Sequence, residues 1–278
     1  MSQYTLTPFQ ERVLYVPENF DMFLGGGRGG GKSTTLALLA LRHVEQYGKH
    51  ARVLYLRRTY KGGEDFAAIC HDIFGSAYER ARYNATERLW RFPSGGTLEL
   101  GQLEGDADYR KYQGRSFTLL LIDEAGQYAE PRVLDMLRSN LRAPRGVPLR
   151  MVIAGNPGDV GHQWLARRYV FGQAAWEPFA EKHSNRQTVY APSVFTQNPT
   201  INREEYLAQL KASCPSDPEL LRAWIEGDWA IARGAYFAGV LDEGRNAIEP
   251  WRTVHALSLI HISEPTRPRL VSRMPSSA

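Results

Sequence analysis

Four short apolar runs punctuate residues 22–154 of the chain. They are Met22-Phe-Leu24, Arg52-Val-Leu-Tyr-Leu56, Thr118-Leu-Leu-Leu-Ile122 and Arg150-Met-Val-Ile-Ala154. The last two are apolar without alternation, as in strands buried on both faces. Helical spacing of apolar positions recurs between the runs, over residues 36–47, 66–74 and 133–141. Thr5-Leu-Thr-Pro-Phe-Gln10-Glu-Arg-Val-Leu14 reads as a capped helix leading into the first strand. Residues 89–93 and 97–100 flank Ser94-Gly95-Gly96 and read as a hairpin. The stretch from Trp164 to Phe179 starts helical and turns irregular, and residues 203–212 and 218–227 are amphipathic helices on either side of Pro215. Buried strands separated by helices predict an α/β fold, with a mainly parallel central sheet flanked by helices.

Chemistry concentrates at the ends of these runs. Gly25-Gly-Gly-Arg-Gly-Gly-Gly-Lys32-Ser33-Thr34 holds the pattern G-x-x-x-x-G-K-[ST] from Gly26 to Ser33, between a strand and a helix. That is a phosphate-binding P-loop. The backbone of Gly26, Gly27, Arg28, Gly29, Gly30, Gly31 and Thr34 is expected to wrap phosphates. Lys32 reaches the β- and γ-phosphates of ATP, and Ser33 holds Mg²⁺. The third run ends in Asp123-Glu124. Asp123 supports Mg²⁺, and Glu124 is placed to polarise an attacking water. The fourth ends in Gly155-Asn156-Pro157-Gly158. Asn156 either faces the γ-phosphate as a coupling residue or belongs to a plain Asn-Pro turn.

Other residues enter by position. Gln10 precedes the first strand, where an amide can read an adenine edge. Arg28, inside the loop, and Arg115, in Tyr112-Gln-Gly-Arg-Ser116, are alternative arginine fingers, the second serving a neighbouring subunit. Arg57, Arg58 and Lys61, beyond the second run, are candidate DNA contacts, as are Arg167 and Arg168. No alternation of aromatic and basic residues supports base stacking.

Composition narrows the class. The chain has 278 residues, enough for one large or two small domains. No apolar run is long enough to span a bilayer, and the N-terminus has no signal-peptide pattern. Cys70 and Cys214 fit no metal or disulfide spacing, which points to packing roles in a reducing compartment. The net charge is +4. Residues 257–278 show no periodicity and resemble the in-frame translation of a sequencing-library adapter, so they are expected to be foreign to the fold. Without their Arg267, Arg269, Arg273 and Glu264 the net charge falls to +2. Overall basicity is thus a weak argument for nucleic-acid binding.

Taken together, the motifs resemble the large terminase subunit of tailed bacteriophages, an ATP-driven DNA-packaging motor. The resemblance covers nearly all of residues 5–251. It rests on the arginine-containing glycine loop and on Thr7-Pro-Phe-Gln10, similar to the family's adenine-reading segment. It rests equally on Leu54-Tyr-Leu-Arg-Arg-Thr59, on Tyr112 through Ala125, and on Ala154-Gly-Asn-Pro-Gly158 with His162-Gln-Trp164. Arg222-Ala-Trp-Ile-Glu-Gly-Asp-Trp229 and Gly234-Ala-Tyr-Phe237 complete it. The resemblance implies a RecA-like (ASCE) P-loop NTPase domain over residues 1–231 and a linker over 232–256 toward a nuclease domain absent from this chain. It implies double-stranded DNA, a portal protein and a small terminase subunit as partners. It further implies a ring of identical subunits on the procapsid, no membrane, and action in the host bacterial cytoplasm. Two alternatives stay open. One is a helicase-like DNA-dependent ATPase, which needs a second ATP-binding lobe. The other is a nucleotide-binding fragment with negligible turnover.

Overall fold

The computed structural model describes residues 5–59, 61–77 and 80–231. Helix α1 (Pro8–Tyr15) opens with a capping box. Gln10 N donates to Thr7 Oγ1 at 3.2 Å, and Thr7 N donates to Gln10 Oε1 at 2.9 Å. Then come β1 (Asp21–Gly26), α2 (Lys32–Tyr47), β2 (Arg52–Arg57), α3 (Gly62–Ala77) and the strands β3 (Arg82–Asn84), β4 (Leu89–Arg91) and β5 (Thr97–Gln102). After α4 (Asp106–Tyr109) follow β6 (Leu119–Ile122), α5 (Arg132–Leu137), β7 (Arg150–Ala154) and α6 (His162–Leu165). Strands β8 (Pro178–Ala180) and β9 (Gln187–Ser193) precede α7 (Arg203–Ser213) and α8 (Pro218–Glu226).

The strands form one sheet in the order β3-β4-β5-β2-β6-β7-β1-β9-β8. All pairings from β5 across to β9 are parallel. At the two margins β3 with β4, β4 with β5 and β8 with β9 pair antiparallel. Strands β1 and β6 are separated only by β7. Their carboxyl ends therefore open on one edge of the sheet, with the end of β7 between them, the usual place for a ligand in such sheets.

The unbroken apolar runs are explained by two cores. Met22, Leu24, Val53, Tyr55, Leu119, Leu121, Val152 and Ala154 pack on one face with α1, α2 and α3. Phe23, Leu54, Leu56, Leu120, Ile122, Met151 and Ile153 pack on the other with α5 and α6. Successive side chains point to opposite faces, so a strand covered on both sides must be apolar throughout.

The expected helices and strands appear with shifted ends. The hairpin is there as β4 and β5, extended by β3. The helix expected over 133–141 ends at Leu137 and tightens into a 3₁₀ turn at Arg138–Asn140. Helix α6 runs into a π turn at Ala166–Val170. Strands β8 and β9 have no counterpart among the expected elements. Cys70 and Cys214 are buried and free, and burial pushes the Cys70 thiol up. Among the described residues no helix is long and apolar enough to cross a membrane. The linker and adapter-like tail expected over 232–278 lie outside the described residues.

Candidate nucleotide-binding site

The glycine loop closes between β1 and α2 because side chains have no room there. Gly26 has φ +111°, and a Cβ on it would strike the Ser193 backbone. Gly31, at φ +79°, is the N-cap that turns the chain into α2. The amino end of a 16-residue helix therefore faces a cavity of about 460 Å³, where its dipole favours anions. Lys32 is buried at the base of the loop. Its Nζ donates to Gly27 O at 2.6 Å and Gly26 O at 3.4 Å. Burial lowers its pKa to about 8, with the Asp123 carboxylate opposing the shift.

The acids of β6 enter the same cavity. Ser33 Oγ donates to Asp123 Oδ2 at 2.8 Å, and Tyr55 Oη donates to the same oxygen at 3.0 Å. Glu124 N donates to Asp123 Oδ1 at 3.0 Å. Tyr55 is fixed in turn by its ring stacked 3.6 Å from Phe66. Burial, then the nearby Asp123 charge, holds the Tyr55 phenol well above its ordinary range, so it stays a donor. Ser33 and Asp123 supply the hard oxygens Mg²⁺ takes. No cluster of three or more acidic, histidine or cysteine side chains suits a metal among the described residues. One carboxylate and one hydroxyl suit a cation whose remaining ligands are phosphates and water.

Glu124 sits in the left-handed region, at φ 49° and ψ 45°, which a residue with a side chain adopts at a cost of roughly 1–3 kcal/mol. Its carboxylate is held from two sides. Arg57 donates through Nε at 3.1 Å and pairs through Nη2, and Gln127 Nε2 donates to the same carboxylate. Arg57 Nη1 also donates to Gly62 O at 2.6 Å. Burial opposes the Arg57 charge, but the Glu124 carboxylate reverses that effect and raises its pKa.

Several assigned residues therefore occupy unexpected places. Arg57 is paired with Glu124 and anchored on Gly62, and is not a free cation. Arg58 donates from Nη1 to Gln127 O at 2.6 Å, and Lys61 is exposed. Arg167 is exposed, whereas Arg168 is buried against Glu181 at 3.0 and 3.1 Å and Asp135 at 2.8 Å. Arg168 is structural, because two carboxylates of the fold hold it.

Arg28 lines the cavity, with its guanidinium 3.6 Å from the Trp224 ring centroid of α8 and its Nε buried without a hydrogen-bond partner among the described residues. Asn156 also lines it, and its Oδ1 is buried with no hydrogen-bond partner among the described residues. Gln10 is buried, with Nε2 3.7 Å from where a Cβ on Gly31 would stand. Thr34 borders the cavity. Arg115 does not. It lies before β6, in a separate cleft with Lys49 and Arg52 at the opposite edge of the sheet. There it makes a two-pronged pair with Glu99, one prong at 2.8 Å. Arg115 therefore does not reach the pocket of its own chain.

A family profile described as "Terminase large subunit, T4likevirus-type, N-terminal" matches residues 23–240. The chain belongs to this terminase family. Among solved structures it is similar to large terminases of two phages. The large terminase of a thermophilic bacteriophage in complex with ADP superposes at TM-score 0.64 and 12% identity, over 86% of this chain and 57% of that one. The same thermophilic-phage protein with ATP-gamma-S gives 0.60 and 12%, over 82% and 53%. The large terminase of bacteriophage HK97 gives 0.55 and 16%, over 82% and 51%. These likenesses bear out the RecA-like α/β fold. The chain spans little more than half the length of these terminases. No curated protein matches it.

Gln127, Asp159, Asn198 and Thr200 also line the pocket, and Tyr55, inside the segment Leu54–Thr59, bonds Asp123 from beneath it, yet no motif gives any of them a role. Asn198 Nδ2 donates to Gly29 O at 2.8 Å, and its Oδ1 accepts from Thr200 Oγ1 at 2.8 Å. Their only signal in the sequence is the polar cluster Gln197-Asn198-Pro199-Thr200 after β9.

Proposed function

We propose that residues 1–231 form the ATPase domain of a phage DNA-packaging motor, hydrolysing ATP with Mg²⁺ to move double-stranded DNA. One observation carries this reading: Ser33 of the glycine loop and Asp123 of β6 meet at 2.8 Å, with Glu124 beside them. A phosphate loop and a strand-end acid joined in this way are the parts phosphoryl transfer needs. Ser33 and Asp123 would hold Mg²⁺, which neutralises charge on the phosphates. Lys32 and the loop amides bind those phosphates, and Glu124 orients water. Asn156, with its orphaned amide oxygen, couples the γ-phosphate to neighbouring elements. Gln10 and Arg28 act from the loop's flanks.

The thermophilic-phage terminase structures with ADP and ATP-gamma-S support nucleotide as the ligand. Family membership supports the packaging role, including a portal protein, a small terminase subunit, a homo-oligomeric ring and the host cytoplasm as setting. In such a ring Arg115, on the far rim, serves the neighbouring subunit's pocket. Residues 232–256 are proposed as a linker, with 257–278 foreign to the domain. The grip of Arg57 and Gln127 on Glu124 favours a second reading of the isolated chain, as a nucleotide binder with low turnover.

The test measures ATPase rate against protein concentration, with and without double-stranded DNA. A steep rise with concentration, increased further by DNA, is the motor's result. A flat, DNA-insensitive rate with intact ATP binding is the result of the binding module.

A further inference from the structure

We propose that double-stranded DNA lies on the uncovered face of the sheet margin β3-β4-β5, held through its phosphates by the arginine row Arg82, Arg91 and Arg52. The proposal rests on the DNA-motor reading above and gives it a surface. That surface stands at the amino ends of β2 and β5, away from the carboxyl ends that carry the nucleotide pocket.

Strand register builds the row. Arg82 is opposite Arg91, Arg91 opposite Thr97, and Thr97 opposite Arg52, across four neighbouring strands. Residues paired in this way share one face of a sheet. The residues next to them in sequence, Tyr83, Trp90, Leu98 and Val53, turn to the other face and pack in the core with α2 and α3. The three arginines therefore stand on the side those helices leave uncovered, and all three are exposed. The next row on the same side, Asn84, Leu89 and Glu99, is only half-buried. Adjacent strands lie about 4.8 Å apart, so the arginine row spans about 15 Å, the rise of roughly four base pairs.

Charge selects the partner. Like charges directly opposite on adjacent strands repel, so Arg82 against Arg91 weakens the sheet unless an anion lies across both. Lys49 and Arg115 line the cleft beside Arg52. Five cations on and beside this face thus meet two carboxylates, Glu87 paired with Arg91 and Glu99 paired with Arg115. A second protein fits less well, because the core of a protein interface is poor in charge. Leu89 is the one apolar side chain in the two rows across β3, β4 and β5. Arginine forks match phosphate oxygens, and no aromatic ring stands in these rows to stack on a base. Contacts of this kind position a duplex without reading its sequence, as a motor that moves along any DNA requires.

The experiment follows fluorescence anisotropy of short DNA duplexes of two unrelated sequences, titrated with the full chain across a range of salt. The parent should bind both sequences within about twofold. Arg52→Ala, Arg82→Ala and Arg91→Ala should each weaken both duplexes alike and lower the slope of log K against log salt by about one, and the triple variant by about three. Tm should not fall in Arg82→Ala, because a repulsion is removed. Lys211→Ala, which removes an exposed cation of α7, controls for net charge and should keep the parental slope. A parental slope in the triple variant overturns the proposal while DNA binding by the parent stands. Loss of self-association by that variant in sedimentation would then assign the face to a second copy of the chain. A slope lowered equally by Lys211→Ala also overturns the proposal, since net charge is then the cause. If the parent binds neither duplex even at low salt, the DNA reading itself falls, and this proposal with it.

Discussion

Arg57, at the end of β2, holds the Glu124 carboxylate through both its Nε and Nη2 while Nη1 is anchored on Gly62 O. Oxygens engaged by a guanidinium and by Gln127 are poor acceptors for a proton from water. Arg57→Ala should therefore raise the basal ATPase rate of the isolated chain severalfold, with KM for ATP within about twofold. Steady-state kinetics check this. A rate below that of the parent would mean that Arg57 aims Glu124 rather than restrains it.

Lys32 carries a pH signature. Its folded pKa is about 8, against 10.5 for an ordinary lysine. Between those values the unfolded chain binds more protons, so stability rises with pH across about 8 to 10.5. Below about 8 both states are charged, and burial of the ammonium is a constant cost. Lys32→Met should abolish ATP binding, raise Tm at neutral pH and remove that alkaline slope. In the parent, ATP affinity should fall above about pH 8, as the ammonium is lost. Thermal melts and titrations across pH check both. A Tm lowered by Lys32→Met would contradict the assignment.

Arg115 faces away from the pocket of its own chain and pairs with Glu99. Arg115→Ala should leave ATP affinity at high dilution within about twofold, yet flatten the rise of specific ATPase rate with protein concentration. Losing a finger supplied in trans costs on the order of 10³ or more in rate. Lost affinity in dilute protein would instead place Arg115 in its own chain's site.

Arg168→Ala tests a structural role. Its side chain is 6% exposed and that of Glu181 1%. Burial works against the Glu181 charge, but Arg168 and Ser184 hold its pKa down to about 2. Glu181 thus adds stability that is full above about pH 4.5 and is lost as pH falls toward about 2. Arg168→Ala should cost roughly 3–5 kcal/mol in urea unfolding near neutral pH, because a buried carboxylate loses its partner. DNA affinity should not fall selectively.

These examples show what was legible in the chain. The glycine loop, its helix and the strand ending in Asp123-Glu124 could be read because their signals are local in sequence. Strand β9 escapes such a reading because Pro192 interrupts its pattern. Strand β8 covers only Gln187–Val189, so Pro192 lies where that flank of β9 is uncovered and a lost N–H is tolerated. Arg57 and Arg168 looked like free surface cations because their carboxylate partners are 67 and 13 residues away. Asn198 is separated from the loop it braces by 169 residues, and only the sheet order brings them together.

The central claim is that Glu124 activates water at a site whose phosphates are held by the loop. The most direct measurement is ATP binding and single-turnover hydrolysis by Glu124→Gln with Mg²⁺. This variant should bind ATP with parental affinity and turn it over about 10²-fold or more slowly. Hydrolysis at the parental rate would contradict it.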